Sequence, residues 1–426
     1  MTDAPADPAA GRSPRMPRQR RTRLRVIGGT ALVLVLAMGG YVAACAAAPL
    51  PALRPALLVP ANASIAADTA PAEAAVEAEA LPTAFGWVGE DTVFANDPAQ
   101  HPLASITKLV TVLVCQQAAP VAPGEAGPSY TWTEADVQRQ AELVALDGVA
   151  FPVPAGTVFS AHDMLTLMLL PSANDFAAAY ADSIFGSNEA FVAAATAWAE
   201  EHGLESLSVV EPSGMDEGNQ ASAADVVRIG QLVLADPTLA ALTRLPVADV
   251  PGIGIVENTN PLLGSAGVIG LKTGRSSDAG YNLAAAQTGD VDGRPVVKIS
   301  VTLGRPTAQE RADSSRRVLA AMNALAQPRE FVAEDEKLGS VVTWTGAVVP
   351  LLATHASAGT LVPGEAASRK ISLDPLAAGP AGQAVGSVAI DSPTGAAKIR
   401  VVTGAAIAEP DLWWRLTHPS AAFGWG

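Results

Sequence analysis

Three short segments hold most of the side chains able to make and break an acyl bond in this chain: Ser105-Ile106-Thr107-Lys108, Ser172-Ala173-Asn174 and Lys272-Thr273-Gly274. Ser105 and Lys108 lie three apart, so on a helix both fall on one face. Ser105 in the first turn would project its oxygen into a cleft near the positive helix end. A hydroxyl needs a base before it attacks, and a lysine ammonium is not one. Burial, with Lys272 as a second cation nearby, would lower the pKa of Lys108 and free its lone pair. On that reading Ser172 relays a proton to a leaving amine, and Asn174 holds Lys108 and a substrate amide. Gly274 admits a close backbone approach to a strand, and an extended substrate can add to the strand edge by main-chain hydrogen bonds. Thr273 can bind a terminal carboxylate, and the backbone N–H groups of Ser105 and Arg275 can form an oxyanion hole. Each piece has a plain alternative when taken alone. Ser105 caps a helix ahead of a surface lysine, and Ser172 and Asn174 cap the next one. Taken together, with two of the chain's six lysines inside them, they describe acyl transfer by a serine nucleophile.

These groups need rigid elements to hold them. Ser105 opens an apolar helical run over residues 106–115. Residues 162–181 are helical in pattern with an interruption at Pro171-Ser172, and residues 188–202 form another helix that stops at Gly203. Ser222 and Asp225 have capping-box spacing ahead of a helix over 226–234. Residues 83–94 read as a short strand pair. Residues 268–273, 281–288 and 296–303 read as strands, close enough in sequence to form an antiparallel meander, and residues 311–326 return to helix. The expectation is an α+β catalytic domain over residues 81–328. After it, short β-like runs (341–344, 370–373, 386–390, 398–402) alternate with Gly/Pro turns, which predicts a small all-β domain over 329–426. Residues 51–80, rich in Ala, Pro and Glu and without apolar period, read as a linker. There is no internal repeat.

Charge is uneven. Seven of the 27 Lys and Arg residues and two of the 42 acids fall in residues 1–48, so the rest carries 40 acids against 20 bases. An acidic body excludes nucleic acid as a partner, because phosphate needs a basic surface. Residues 26–50 contain no charge and are long enough to span a bilayer. Arginines precede them, so residues 1–25 are expected as a cytoplasmic tail and the remainder outside the cell membrane. Two processing alternatives stand beside an uncleaved anchor: cleavage at Ala46-Ala47-Ala48, giving a secreted chain, or lipidation of Cys45 in Val42-Ala43-Ala44-Cys45. Cys45 and Cys115 do not suggest a disulfide, and Cys115 reads as a buried thiol. The five histidines are scattered without metal-ligand spacing, so no metal and no cofactor is expected.

The three motifs in this order are those of penicillin-binding proteins and class A β-lactamases. Their surroundings resemble the low-molecular-mass penicillin-binding proteins of the D-alanyl-D-alanine carboxypeptidase family, over about residues 83–326. Leu109-Val110-Thr111 completes a K-x-x-T, and Ser172-Ala173-Asn174-Asp175 reads as S-x-N-D. Glu211-Pro212-Ser213-Gly214-Met215-Asp216 resembles the family's G-L/M-D turn. Asn258-Thr259-Asn260-Pro261-Leu262-Leu263 stands ahead of Gly270-Leu271-Lys272-Thr273-Gly274, and Ala279-Gly280-Tyr281-Asn282 follows. The resemblance implies a β-lactamase/transpeptidase-like catalytic domain, an antiparallel sheet with helices, followed by a β-rich domain. It implies removal of the terminal D-alanine of peptidoglycan stem peptides, with β-lactams as covalent inhibitors. It also implies an arginine near the substrate carboxylate, for which Arg311, seven residues before Val318-Leu319, fits, with Arg305 as a rival. Trp413-Trp414, near the end of the β-rich part, would pack in its core or else touch lipid headgroups. Two departures are visible. Thr196-Ala197-Trp198 replaces the usual Met-Asn pair, and Arg275 follows Lys-Thr-Gly, where it can alter substrate preference.

Three other readings stand beside this one, and the first uses the same machinery. A D,D-endopeptidase would cut peptidoglycan cross-links. A class A β-lactamase needs a glutamate to activate water, and the nearest candidate, Glu201-His202-Gly203-Leu204-Glu205, lacks the expected asparagine. A cell-wall binder with a dead site would have lost a motif residue, and none is lost.

Overall fold

A computed structural model of the chain describes residues 18–265 and 267–424. The catalytic part is organised by a five-stranded antiparallel sheet in the order Val268–Ser276, Gly280–Val291, Arg294–Arg305, Thr83–Trp87, Val93–Ala95. The three-strand meander is the one its spacing predicts. Alternation along Gly280–Val291 shows why the sheet is covered on both sides. Ala284 and Ala286 join a core with the helices Thr107–Ala118 and Ala223–Ala235, whereas Leu283 and Ala285 face Ala312, Val318, Leu319 and Met322 of the helix Ala308–Asn323. Successive strand residues point to opposite faces, and small alanines at the centre let helices lie close on both.

Beside this sheet a helical lobe carries the middle motif. It contains Glu134–Ala145, Ala161–Leu169, Asn174–Phe185 and Asn188–Glu201. Two of these start with complete capping boxes, Thr133 with Asp136 and Ser160 with Asp163. Each satisfies backbone N–H groups that the first helical turn leaves free. Ser222 also caps its helix, through Asp225 N–H, but the Asp225 carboxylate accepts from Ser206 rather than returning to Ser222. Trp132, Phe159 and Phe176 interlock between the helices, with ring centroids 4.5–6.0 Å apart.

The linker reading of residues 51–80 is wrong. Ala56–Leu57 and Asn62–Ala66 are strands at the two ends of a seven-stranded sheet. Its order is Ala56–Leu57, Lys337–Val342, Val348–Ala353, Gly395–Thr403, Ala384–Ser392, Ala366–Leu373, Asn62–Ala66. Ala70–Glu77 is a helix that buries Ala72 and Val76 against Phe85 and Trp87. Low-complexity composition hid these elements, because an edge strand held mainly by its backbone needs no apolar run of its own. The boundary drawn at 328 also falls inside a strand, Gln327–Val332, which pairs with Ser357–Leu361. Two chain segments therefore pass between the β-rich and catalytic parts, one after Ala66 and one before Gln327. They are tied together: Gln327 Nε2 donates to Asp68 O (2.8 Å), and Asp68 N donates to Gln327 Oε1 (3.1 Å). Arg294 of the catalytic sheet pairs with buried Glu365 of the β-rich part at 2.7 Å.

The first helix runs from Arg18 to Ala47, and Arg25–Ala47 (mean hydropathy 2.0) is long and apolar enough to cross a membrane. One side of its last turn is covered. Arg415 Nη1 donates to Ala48 O (2.7 Å) and Cys45 O (3.5 Å), and Tyr41 Oη donates to Leu416 O (2.7 Å). Cys45 is fully buried there. Trp413 is 73% exposed and Trp414 stacks on His418, so neither joins the core of the β-rich part, contrary to the core-packing expectation. The short helix Leu412–Thr417 that carries them lies against the first helix instead. Of the basic tail expected over residues 1–25, residues 1–17, with Arg12 and Arg15, lie outside the described residues.

Candidate active site

Ser105 stands in a single 3₁₀ turn, Ala104–Ile106, immediately before the helix Thr107–Ala118. Ala104 takes a positive φ of 48° to enter it. Lys108 follows one turn later, wholly buried, and its Nζ lies 2.9 Å from Ser105 Oγ. Burial brings the Lys108 ammonium down from 10.5 to about 7, while the Glu211 and Asp175 carboxylates act in the opposite direction. The same Nζ donates to Ser213 O at 2.6 Å.

The second motif enters from the helical lobe. Ser172 links the helices Ala161–Leu169 and Asn174–Phe185 with φ of 73°, a left-handed conformation that turns the chain back sharply. Its Oγ is buried and has no hydrogen-bond partner among the described residues. Neither Ser172 nor Asn174 caps the following helix through its side chain; its N-cap is Ala173. Asn174 Oδ1 accepts from Val149 N (2.9 Å), and its Nδ2 donates to Ser213 O (3.2 Å), the carbonyl that Lys108 uses. Asp175, next in sequence, accepts from Phe151 N, and burial lifts its carboxyl to about 6.

Lys272 and Thr273 lie on the edge strand Val268–Ser276. Lys272 is buried, and its Nζ donates to Thr273 O at 3.2 Å. Desolvation, and then the charges of Lys108 and Arg311, hold its ammonium well below the ordinary lysine value. Gly274 has no room for a side chain, since a Cβ there would lie 2.6 Å from Leu103 O. That closeness seats the strand against the nucleophile turn. Asn282, on the next strand, donates to Pro102 O (2.9 Å) and Leu103 O (3.1 Å) and ties the turn to the sheet.

Arg275 and Tyr281 are register partners, so their side chains share a face. The Arg275 guanidinium lies 5.7 Å from the Tyr281 ring centroid, and that of Arg311 lies 5.6 Å from the same centroid. Thr273, two residues before Arg275, faces the same way, with its Oγ1 2.6 Å from Thr259 Oγ1. Two guanidinium groups and two hydroxyls thus gather without an acidic side chain in salt-bridge contact with either arginine among the described residues, an arrangement suited to an anion. Arg305, the rival of Arg311, is buried and engaged by Glu79, Thr83, Ser314 and the carbonyls of Pro82 and Leu303. It holds the scaffold. Glu201 is also remote from this chemistry, at the end of its helix, where it accepts from Gln117.

The geometry adds residues to which the motifs assigned no role. Glu211 accepts from Ser213 N (2.6 Å), Met215 N (2.8 Å) and Asn219 Nδ2 (2.6 Å). Asp175 and Thr259 are a second carboxylate and hydroxyl at the site. Pro212-Ser213-Gly214 signalled a turn, but no sequence pattern says which side chains its carbonyl meets.

The profile of the D-alanyl-D-alanine carboxypeptidase family matches residues 92–307, just over half of the chain. A D-alanyl-D-alanine carboxypeptidase of Salmonella typhimurium, DacD, is 26% identical over 294 residues, covering 68% of this chain and 74% of that protein. Escherichia coli DacC, also a D-alanyl-D-alanine carboxypeptidase, is 30% identical over 58% of this chain and 63% of its own length. A D-alanyl-D-alanine endopeptidase of Pseudomonas aeruginosa is 30% identical over 44% of this chain and 59% of its own. In fold, penicillin binding protein 5 of Haemophilus influenzae superposes with a TM-score of 0.54 at 23% identity, over 77% of this chain and 97% of that one. Penicillin binding protein 6B of E. coli gives 0.55 at 23% identity, over 76% and 94%.

Proposed function

The chain belongs to the D-alanyl-D-alanine carboxypeptidase family, and on that premise we propose that it removes the terminal D-alanine of peptidoglycan stem peptides through an acyl-enzyme on Ser105. The observation that carries this reading is the buried Lys108 amine, held near neutrality and 2.9 Å from Ser105 Oγ. Lys108 takes the proton of Ser105, whose oxygen attacks the carbonyl of the penultimate D-alanine. The N–H groups of Ser105 and Arg275 receive the negative charge that develops on that carbonyl oxygen. The proton reaches the leaving D-alanine nitrogen by way of Ser172, whose buried hydroxyl has no hydrogen-bond partner among the described residues, and Lys272 assists its delivery. Asn174 acts on Lys108 through the Ser213 carbonyl that both side chains bind, rather than by a direct bond, and it meets the substrate amide. Water then hydrolyses the ester. Penicillin acylates the same oxygen and stalls at that stage.

Thr273, Gly274, Arg275 and Arg311 line the leaving-group side. A carboxylate there meets two hydroxyls and two guanidinium groups, and charge-assisted contacts of this kind are about twice as strong as neutral ones. The relative named as an endopeptidase keeps a second substrate in view, since a cross-link can also present a carboxylate beside the scissile amide. Incubating the purified chain with stem pentapeptide and with cross-linked dimer, and measuring free D-alanine and monomer, decides between them. Release of D-alanine from the pentapeptide is expected as the faster reaction. Ser105→Ala should abolish both that release and covalent penicillin labelling; labelling that persists in this variant rules out the nucleophile.

Arg25–Ala47 is read as an uncleaved membrane anchor with its arginine-rich end in the cytoplasm and the catalytic part outside. Support comes from the buried Arg415, which caps the helix's last carbonyls as a cation at a C-terminus does. Cys45 is covered by the same contact, which speaks against lipidation there.

A further inference from the structure

Lys108 and Asn174 share one acceptor, the carbonyl of Ser213. That carbonyl sits in an irregular turn, residues 211–219, pressed against the nucleophile. A Cβ on Gly214 (φ 79°) would lie 2.1 Å from Ala104 O and 3.0 Å from Ser105 N. One side chain gathers the turn. Glu211 Oε2 accepts from Ser213 N at 2.6 Å, and Oε1 accepts from Met215 N at 2.8 Å, Asp216 N at 3.3 Å and Asn219 Nδ2 at 2.6 Å. Thr111, on the nucleophile's own helix, secures Pro212 O at 2.7 Å.

We propose that Glu211 is a positioning residue of the acylation step: its carboxylate aims the Ser213 carbonyl, which in turn aims Lys108 Nζ at Ser105 Oγ. The inference rests on the Ser105–Lys108 reading above. Both carboxylate oxygens are needed. A carboxamide at this position would turn an N–H₂ group either toward Ser213 N–H or toward the N–H groups of Met215, Asp216 and Asn219. One side of the turn would then lose its acceptor. The charged groups acting on Lys108 are Glu211 from the turn and Asp175 from the helical lobe, while Lys272 on the strand is itself lowered by the charge of Lys108. Glu211 thus has a second influence, because its negative charge favours the protonated amine.

The test is the second-order rate of acylation of the full chain by a fluorescent penicillin, from pH 5 to 9, in wild type, Glu211→Gln and Glu211→Asp, with melting temperatures alongside. Glu211→Gln is expected to acylate about a hundredfold more slowly at pH 8, the loss typical of a small misplacement of a reacting group. Its pH midpoint should fall by about half a unit or more, since a charge stabilising the ammonium is gone. Glu211→Asp keeps the charge but not the reach, so it should be slow with the wild-type midpoint. A Glu211→Gln rate within threefold of wild type overturns the proposal. So does an equal slowing of both variants with one unmoved midpoint, or a failure of both to fold, since each reduces Glu211 to scaffold. A wild-type chain that takes no label sinks the acylation reading and this inference together; where the wild type is labelled, a negative result bears on Glu211 alone.

Discussion

The pH dependence of acylation follows from the burial of Lys108. An ordinary lysine with a value of 10.5 is neutral in roughly three molecules per ten thousand at pH 7. With its value brought to about 7, Lys108 is neutral in about half of them. The gain in competent base is on the order of a thousandfold, equivalent to about 4–5 kcal/mol at 1.36 kcal/mol per unit. Burial drives the change, because the interior solvates an ammonium poorly; Glu211 and Asp175 oppose it. The acylation rate should therefore be flat above about pH 8 and fall tenfold per unit well below pH 7. Stopped-flow acylation by a penicillin, at constant ionic strength from pH 5 to 9, measures it. Lys272 is coupled to Lys108, so the midpoint belongs to the pair. A rate independent of pH over this range, or a midpoint above 9, would refute a neutral-lysine base. Stability should move with the same groups. In the folded chain both lysines release protons at lower pH than in the unfolded one, so the unfolded state binds more protons between about pH 7 and 10. The melting temperature should rise from pH 7 to 9 rather than fall.

Two further outcomes are expected. A chain starting at Leu81 loses two strands of the seven-stranded sheet and the helix that covers Phe85 and Trp87, so it should melt at lower temperature than a chain starting at Pro49, by an amount corresponding to several kcal/mol at about 1.5–3 kcal/mol for a buried residue such as Val76; equal melting by calorimetry would show those elements to be dispensable. Arg415→Met removes the cap from the end of the first helix, and Cys45 in the detergent-solubilised chain should then take up a maleimide, read as a mass increase, while wild type resists.

Much of the site was legible because its chemistry is written in local motifs. Spacing placed Ser105 over Lys108 and put Lys272 to Gly274 on a strand, and the meander followed from three apolar runs with turn residues between. The illegible parts depend on contacts distant in sequence. Glu211 matters because a turn roughly a hundred residues after Ser105 folds back onto it, and the choice of Arg311 over Arg305 depends on which guanidinium the scaffold consumes. Strands at sheet ends, such as Ala56–Leu57, are specified by their partner's register and leave little trace in their own residues.

The catalytic part is an insertion: the chain leaves the β-rich part after Ala66 and re-enters it at Gln327, with the two passages bound side by side through Asp68 and Gln327. A body hung on one strand of polypeptide can swivel about single bonds, whereas one hung on two fastened strands can rock but not spin. The Arg294–Glu365 pair opposes rocking as well. Ser105 is therefore carried at a set bearing and height relative to the seven-stranded sheet. If the first helix anchors the chain in a bilayer as proposed, the enzyme meets new stem peptides by drifting in the plane of that bilayer, and the layer of cell wall it can trim is fixed by its own dimensions.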